Sequence, residues 1–164
     1  QDPKNPRWSY ANSKALGEQA VIHNGVLEWI AVRPQNVYGP RQKDHFISEF
    51  VARAKQDEFT VFGGVNTRTF LYIDDCVDAL IKLWKTKSAH NDIYNLGGST
   101  ETAIHSVASS LMQLMEKKGE LVIHPAPKGS VNRRWPDITK IKNAIDWEPT
   151  TELAVGLGRT LETL

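Results

Sequence analysis

Tyr10 and Lys14 are the pair of residues in this sequence whose types and spacing could perform acid-base chemistry. Four residues apart, they would share one face of a helix, so the lysine ammonium could stay close to the tyrosine phenol. A nearby cation favours the phenolate and lowers a tyrosine pKa from about 10 toward neutrality. The pair could therefore act as a general base on a hydroxyl group. Alone, the spacing is a weak signal, since chance produces it in roughly a quarter of chains of this composition.

The composition is that of an ordinary globular protein and argues against several other classes. The 164 residues are 40% hydrophobic and 24% charged, which is enough to bury a core. A formal net charge of +1 provides no basic field, so we expect no nucleic-acid partner. The single cysteine, Cys76, has no internal partner, and the histidines lack metal-ligand spacing, so we expect no metal site. No apolar run reaches the roughly 18 residues of a membrane span, and the first residues do not resemble a signal peptide, so the sequence predicts a cytoplasmic location and no membrane partner.

Apolar periodicity predicts six helices that must position the reactive pair. The first runs over Ser9–His23 and is stopped by Gly25, which tolerates a left-handed conformation. The second covers "HFISEFVARAK", and the fourth carries an apolar stripe from Ile104 to Met115 and ends at Gly119. The fifth is opened by Asp137, and the last carries leucines from Leu153 to Leu164.

The third helix is predicted from a cap and an apolar face. Asp74 or Asp75 would cap it, and Cys76 would pack there as a small apolar group. Its apolar face would consist of Val77, Leu80, Ile81 and Trp84, at positions i, i+3, i+4 and i+7.

Five short segments between the helices have the composition of strands. They are "LEWIAVRP", "FTVFGG", "TRTFLYI", "IYNLGG" and "ELVIHPAP". Strands that alternate with helices at short intervals are typical of the α/β class.

The blocks that follow the Tyr/Lys pair are more informative together than any of them alone. They are "VRPQNVYGPRQ", "TVFGGVNTRTFLYIDDCVDAL", "IYNLGG" and "RRWPDITKIKNAIDWEPTTELAVGLGRTL". In this order and spacing, the sequence resembles the extended short-chain dehydrogenase/reductase family, and specifically its NAD-dependent sugar-nucleotide epimerases, dehydratases and decarboxylases. The resemblance covers nearly the whole chain.

The resemblance implies the remnant of a Rossmann-like parallel sheet joined to a smaller α/β substrate-binding domain. Residues 1–38 would belong to the sheet, with 88–98 returning to it. Residues 39–87 and 99–164 would form the domain that binds a nucleotide-diphosphate sugar.

The resemblance also assigns roles at the reacting end of the site. Tyr10 would take a proton from a sugar hydroxyl, and Lys14 would activate it and bind the nicotinamide ribose. Pro34, Asn36 and Val37 would line the nicotinamide of NAD, and Asn36 would also reach the substrate's phosphates. Turn geometry is the alternative explanation for Pro34 and Gly39.

At the other end of the substrate, Arg68 and Arg134 match the family's diphosphate-binding arginines, and Arg133 is the alternative to Arg134. Asp137 would lie near the nucleoside ribose, although it could equally be a helix N-cap. The strand residues Thr60, Val61 and Phe62 would lie beside the base. We interpret Glu18, Arg41 and His45 as surface or structural residues.

Two family features are absent from the sequence. The glycine-rich turn that seats the dinucleotide pyrophosphate is not among "FGGVN", "LGGST" and "GLGRT", and the family's Ser/Thr upstream of the tyrosine is also missing. We therefore expect a C-terminal part of such an enzyme, inactive alone and without stable NAD binding. Exposed sheet edges would promote self-association or docking of a separate N-terminal segment.

Two other functions remain open: a non-catalytic nucleotide-sugar-binding module, and a structural assembly subunit. The sequence does not select the sugar, the base or the reaction branch.

Overall fold

The computed structural model describes residues 6–164, so residues 1–5 of the predicted sheet-forming part lie outside the description. The helices are α1 (Pro6–Ile22), α2 (Phe46–Ala54), α3 (Ile73–Lys85), α4 (Ile104–Leu114), α5 (Thr139–Ile145) and α6 (Leu153–Leu161), with a 3-10 turn at Lys87–Ala89. The strands are β1 (Ile30–Pro34), β2 (Val37–Tyr38), β3 (Thr60–Phe62), β4 (Thr67–Arg68), β5 (Leu71–Tyr72), β6 (Asp92–Leu96), β7 (Thr102–Ala103), β8 (Val122–His124) and β9 (Arg133–Arg134). The predicted α/β class is confirmed.

Parallel pairing dominates the sheets. Strand β1 pairs with β6 over their whole length, from Ile30 opposite Asp92 to Pro34 opposite Leu96. The pairs β2–β5 and β3–β8 are also parallel. In the fourth sheet, β4 lies between antiparallel β7 and parallel β9. Parallel strands require long crossovers, which the intervening helices provide.

Two hydrophobic clusters hold these layers together. One gathers residues of α2, α4 and α6, with Phe50, Leu111 and Leu157 completely buried. The other lies where α3 and α5 pack on β1 and β6, around Leu83 and Ile141. The apolar face predicted for α2 is confirmed, because the buried residues of this helix recur at helical spacing.

The apolar face predicted for α3 is wrong. Val77, Leu80, Ile81 and Trp84 are exposed, and the buried residues are Asp75, Cys76, Ala79 and Leu83. The helix carries apolar residues on two adjoining sides. The side that is buried contains the small residues Cys76 and Ala79, which allow the helix to pack closely. Cys76 is buried as predicted, but on this other side.

The caps predicted for α3 are also wrong. The helix begins at Ile73 with Tyr72 in the N-cap position, so Asp74 and Asp75 lie in its first turn. The Asp75 carboxylate instead accepts hydrogen bonds from the Thr150 hydroxyl at 3.1 Å and the Thr151 amide at 3.0 Å.

The segment "TRTFLYI" forms two strands rather than one. Thr67–Arg68 pairs with β7 and β9, whereas Leu71–Tyr72 pairs with β2. The chain changes sheets at Thr69, which is fully buried, and Phe70, whose carbonyl oxygen would lie 2.2 Å from a Cβ at Gly98. Strand propensity alone does not reveal such a change of partner.

Several other predicted helix ends shift by a few residues, and α1 begins at Pro6 rather than Ser9. Helix α4 ends at Leu114, and Glu116 rather than Gly119 takes the left-handed conformation, with φ 54°. Helix α5 has Ile138 in its N-cap position, although the Asp137 carboxylate accepts the Thr139 amide at 2.9 Å. Helix α6 ends at Leu161. Gly25 is left-handed as predicted, with φ 75°.

Candidate functional site

One open groove of about 1140 Å³ collects most of the residues that the sequence proposes for the site. It lies where α1, the segment after β1, β4 and β9 meet. From the predicted set, it is lined by Tyr10, Lys14, Pro34, Asn36, Val37, Arg68 and Arg134. Residues from opposite ends of the chain therefore share one surface.

The Tyr/Lys pair lies on the α1 wall of this groove. The Lys14 ammonium is 5.3 Å from the centre of the Tyr10 ring, within the range of a cation-π contact. Tyr10 is 68% exposed, so its hydroxyl is accessible to a ligand.

An ion pair joins α1 to the neighbouring strand β1. Glu18 accepts hydrogen bonds from Nε and Nη2 of Arg33 in β1, both at 2.7 Å. Arg33 lowers the pKa of the Glu18 carboxyl, chiefly through this hydrogen bond. The structural interpretation of Glu18 agrees with this contact.

The turn after β1 forms the floor of the groove. Asn36 adopts a left-handed conformation, with φ 45°, and its side-chain amide donates to the Thr69 carbonyl at 2.7 Å. The Gln35 amide continues the β1–β6 pairing by donating to the Leu96 carbonyl at 2.8 Å. Asn36 thus joins the floor to the segment between β4 and β5.

Two polar groove residues that the sequence analysis did not propose are Gln35, after β1, and Gln42, after β2. Gln42 donates its side-chain amide to the Val37 carbonyl at 2.7 Å. Its Oε1, like that of Gln35, is buried without a hydrogen-bond partner in residues 6–164. Their place beside the carboxyl end of a parallel strand is the signal that could have identified them. His45, Phe70 and Ser130 also line the groove.

The two arginines occupy facing positions on neighbouring strands. Arg68 of β4 is in register with Arg134 of β9, and Thr67 with Arg133. Arg68 also donates to the Val131 carbonyl at 2.7 Å. Arg133 binds Glu101 and does not line the groove.

Comparison with known proteins identifies the family to which this chain belongs. Residues 1–97 match the model of the NAD dependent epimerase/dehydratase family. The chain is 33% identical over 170 residues to the UDP-N-acetyl-alpha-D-glucosaminuronate decarboxylase of Bacillus cytotoxicus, with 95% of this chain and 53% of that protein covered. This chain belongs to the NAD-dependent epimerase/dehydratase family.

Solved structures agree with the family at the level of the fold. The UDP-glucose 4-epimerase of Thermotoga maritima, solved with UDP-glucose, superposes with a TM-score of 0.81 at 29% identity, covering 93% of this chain and 50% of that one. The dTDP-glucose 4,6-dehydratase of Bacillus anthracis, solved with NAD, gives a TM-score of 0.82 at 28% identity, covering 98% and 52%. The chain therefore has the Rossmann-like architecture of the family and spans about half the length of the relatives it matches.

The remaining predicted residues of this family member lie away from the groove. Val61 is 1% exposed and packs in the core, while the exposed Phe62 ring stacks on His124 with centroids 5.1 Å apart. Thr60 donates its hydroxyl to Glu58 at 3.1 Å.

Asp137 lines a separate pocket of about 340 Å³ with Trp135 and Lys142. Its hydrogen bonds with Thr139 lower the pKa of the Asp137 carboxyl. The N-cap position that the sequence analysis offered to Asp137 is taken by Ile138.

The described part of this family member shows no group of side chains able to hold a metal ion. Across residues 6–164, no helix has the length and apolarity needed to cross a membrane.

Proposed function

We propose that this chain supplies the catalytic Tyr10–Lys14 pair and the substrate groove of an NAD-dependent epimerase, dehydratase or decarboxylase that acts on a nucleotide-diphosphate sugar. The observation that carries this proposal is that one groove is lined both by Tyr10 and Lys14 of α1 and by Arg68 and Arg134 of the paired strands β4 and β9. A nucleotide sugar presents the two matching groups, a sugar hydroxyl and a diphosphate. Relatives whose names specify UDP-sugars and a dTDP-sugar support the same substrate class.

The chemistry would begin at the Tyr10 hydroxyl. As a phenolate stabilised by the Lys14 ammonium, Tyr10 takes the proton from a sugar hydroxyl. NAD, when bound, supplies a hydride acceptor for the carbon that carries this hydroxyl. Removal of the proton and the hydride leaves a keto sugar in the groove. Re-reduction, loss of water or loss of carbon dioxide from it would give the three reaction branches of the family.

The arginines would hold the diphosphate. A guanidinium stays charged and presents rigid paired donors that match phosphate oxygens. Arg68 and Arg134, in register on adjacent strands, could bind both phosphates of one diphosphate. The sugar would then extend from the phosphates toward Tyr10.

Among residues 6–164, the side chains of the groove fit one end of NAD. Tyr10, Lys14 and the turn at residues 34–37 are suited to the nicotinamide and its ribose. The glycine pairs at 63–64 and 97–98 are not suited to the pyrophosphate, because protein already occupies the space beside them. A Cβ added at Gly97 would lie 2.6 Å from the Pro136 ring, and one added at Gly63 would lie 2.9 Å from the Ala126 side chain. This supports the proposals that the isolated chain does not hold NAD stably and is inactive by itself.

The same observation favours a second candidate function, a nucleotide-sugar-binding module without turnover. Titration of UDP-, dTDP-, GDP- and CDP-sugars by calorimetry tests the groove shared by both functions. We expect one series to bind, Arg68→Ala to abolish the signal, and Arg134→Ala to weaken binding at least tenfold while leaving it measurable. Lys87→Ala, which removes an equal charge outside the groove, should not change binding. If none of the four series gives heat with the folded chain, the groove does not bind nucleotide sugars.

Turnover distinguishes the enzyme from the binding module. In a protein that also contains an NAD-binding segment, Tyr10→Phe should leave nucleotide-sugar affinity unchanged. The rate should fall by a factor of about 100 to 10,000 or more, which is typical of acid-base groups. An unaltered rate would remove Tyr10 from the mechanism.

We also propose that a second copy or an NAD-binding segment covers exposed apolar surface of this chain. The α3 side chains that the sequence placed in the core are exposed, with Ile81 at 44% and Trp84 at 74%. Sedimentation at micromolar concentration should show self-association that Ile81→Lys weakens. A monodisperse wild-type monomer would contradict self-association.

A further inference from the structure

We propose that Glu101 is a positioning residue for the diphosphate site, because its carboxylate holds Arg133 and thereby turns Arg134 toward the groove beside Arg68. The inference rests on the proposed function, since it concerns how the arginines of that groove are arranged. Glu101 and Arg133 do not line the groove. Any effect of Glu101 on a bound nucleotide sugar would therefore be transmitted through Arg134.

Strand β9 needs such a restraint because it is short. It consists of Arg133 and Arg134, both exposed, and pairs only with β4 in the described residues. Successive side chains of a strand point to opposite faces of the sheet. Only one of the two adjacent arginines can therefore face the groove, and here it is Arg134.

The identity of the side chains in β9 does not select the register. A slip of one residue would exchange the two faces, and because both residues are arginine, either could face either side. Contacts outside β9 must therefore decide which guanidinium faces the substrate.

Glu101 makes the contacts that distinguish Arg133 from Arg134. Its Oε1 accepts Nε of Arg133 at 2.8 Å, and its Oε2 accepts Nη2 at 3.0 Å. The Thr67 hydroxyl donates to the same Oε1. Thr67 is the β4 residue in register with Arg133, so one carboxylate joins the end of β7 to both β4 and β9.

Two further contacts support this register. The Arg133 guanidinium lies 4.7 Å from the centre of the Trp135 ring, so the arginine is bound on a second side. Arg68 donates to the Val131 carbonyl at 2.7 Å, which ties the segment entering β9 to the groove. Hydrogen bonds from Arg133 and Thr67 lower the pKa of the Glu101 carboxyl, which extends to lower pH the range over which this anchor is charged.

A double-mutant cycle in the intact chain tests the inference, with UDP-glucose and dTDP-glucose titrated by calorimetry. Glu101→Gln keeps the size of the side chain but removes the charge that holds Arg133. We expect it to weaken binding at least tenfold. In the Arg134→Ala background, Glu101→Gln should change affinity less than twofold, because it acts through Arg134. Glu162→Gln, at an exposed position after α6, is the matched control and should leave affinity unchanged.

Arg133→Gln removes the other half of the contact from an exposed strand position. We expect Arg133→Gln to weaken binding as Glu101→Gln does, so it provides the same test if Glu101→Gln folds poorly. Circular dichroism melting of each variant establishes that the folded protein is being compared.

The possible outcomes separate this inference from the proposed function. Binding by the wild type with no loss in Glu101→Gln or Arg133→Gln overturns the inference and leaves the proposed function intact. A full loss by Glu101→Gln in the Arg134→Ala background overturns it as well, because the effect would not pass through Arg134. If the folded wild type binds neither sugar nucleotide nor the GDP- and CDP-sugars, the proposed function fails and this inference fails with it.

Discussion

Glu18 on α1 and Arg33 on β1 form a two-point ion pair that joins the helix of Tyr10 and Lys14 to the sheet. The Arg33 side chain is 54% exposed and that of Glu18 is 18% exposed, so the pair lies at the edge of the protein. Pro34, Asn36 and the rest of the groove floor follow Arg33 directly. The pair therefore connects the helix that carries Tyr10 and Lys14 to the strand that leads into the groove floor.

Glu18→Gln should loosen α1 while leaving the rest of the fold intact. Exposed ion pairs contribute about 0.2–1 kcal/mol, and the paired geometry here favours the upper part of that range. Hydrogen exchange at residues 9–22 should become faster, with no change in α2 or α4. Glu120→Gln, which replaces an exposed carboxylate elsewhere, is the control. Equal exchange in both variants would show that the pair does not hold α1.

The same ion pair predicts a pH dependence. Arg33 lowers the folded-state pKa of Glu18 below its unfolded value of about 4.3. The stabilisation is therefore present above that unfolded value and is lost as the pH falls through the folded pKa. Protection of α1 in the wild type should stay constant between pH 7 and 5 and decline below about 4. In Glu18→Gln this decline should be smaller.

Gly156→Ala should destabilise the protein, and Gly158→Ala should not. A Cβ at Gly156 would lie 2.1 Å from the Tyr38 hydroxyl oxygen, and Tyr38 is 3% exposed and packs edge-on against Tyr72. Overpacking of this kind costs about 1–3 kcal/mol. Gly158, in the same helix, has nothing within 4 Å of such a Cβ. Its replacement by alanine should stabilise α6 by up to about 1 kcal/mol.

Urea midpoints of the two glycine variants give the comparison directly. We expect the urea midpoint to fall for Gly156→Ala and to stay the same or rise for Gly158→Ala. A midpoint for Gly156→Ala equal to that of the wild type would mean that α6 and Tyr38 can separate without cost.

Asp75→Ala should cost more stability than Asp74→Ala. Asp75 is 7% exposed and accepts two hydrogen bonds from residues 150 and 151, so its removal leaves the Thr151 amide without its partner. An unsatisfied buried donor costs about 1–3 kcal/mol. Asp74 is exposed in the same first turn of α3, so both variants lose the same favourable interaction with the helix dipole. Thermal unfolding should therefore report a larger drop for Asp75→Ala, and equal drops would contradict the anchoring role.

His90 should titrate above the ordinary histidine value. Its two ring nitrogens lie 3.0 Å from the Trp84 carbonyl oxygen and 3.0 Å from a Glu28 carboxylate oxygen, and only the protonated ring can donate to both. These contacts raise the pKa of His90, with the Trp84 carbonyl as the larger cause. NMR titration should show a value above 6.5 that Glu28→Gln lowers. A value unchanged by Glu28→Gln would leave the Trp84 carbonyl as the sole partner.

The raised pKa of His90 also sets the sign of a stability effect. Its stabilising contribution is complete below the unfolded-state pKa, about 6.5, and is lost as the pH rises through the folded pKa. The wild type should therefore lose more thermal stability than Glu28→Gln between pH 6 and pH 8.

Local features of the sequence predicted the parts of the fold that depend on neighbours along the chain. The spacing of Phe50, Val51 and Ala54 predicted α2 and its buried face, since a helical period repeats every 3.6 residues whatever the helix packs against. The spacing of Tyr10 and Lys14 placed ammonium and ring close together for the same reason. The order of the motif blocks identified the family.

The sequence by itself determined the α/β class, the positions of most helices and the one-turn relationship of the reactive pair. Only the tertiary structure decided that α3 buries Cys76 and Ala79 instead of Ile81 and Trp84. It alone divided residues 67–72 between two sheets, and it placed Arg134 rather than Arg133 in the lining of the groove. The physical reason is that periodicity records which side chains share a face, whereas burial, strand partner and register depend on residues far away along the chain.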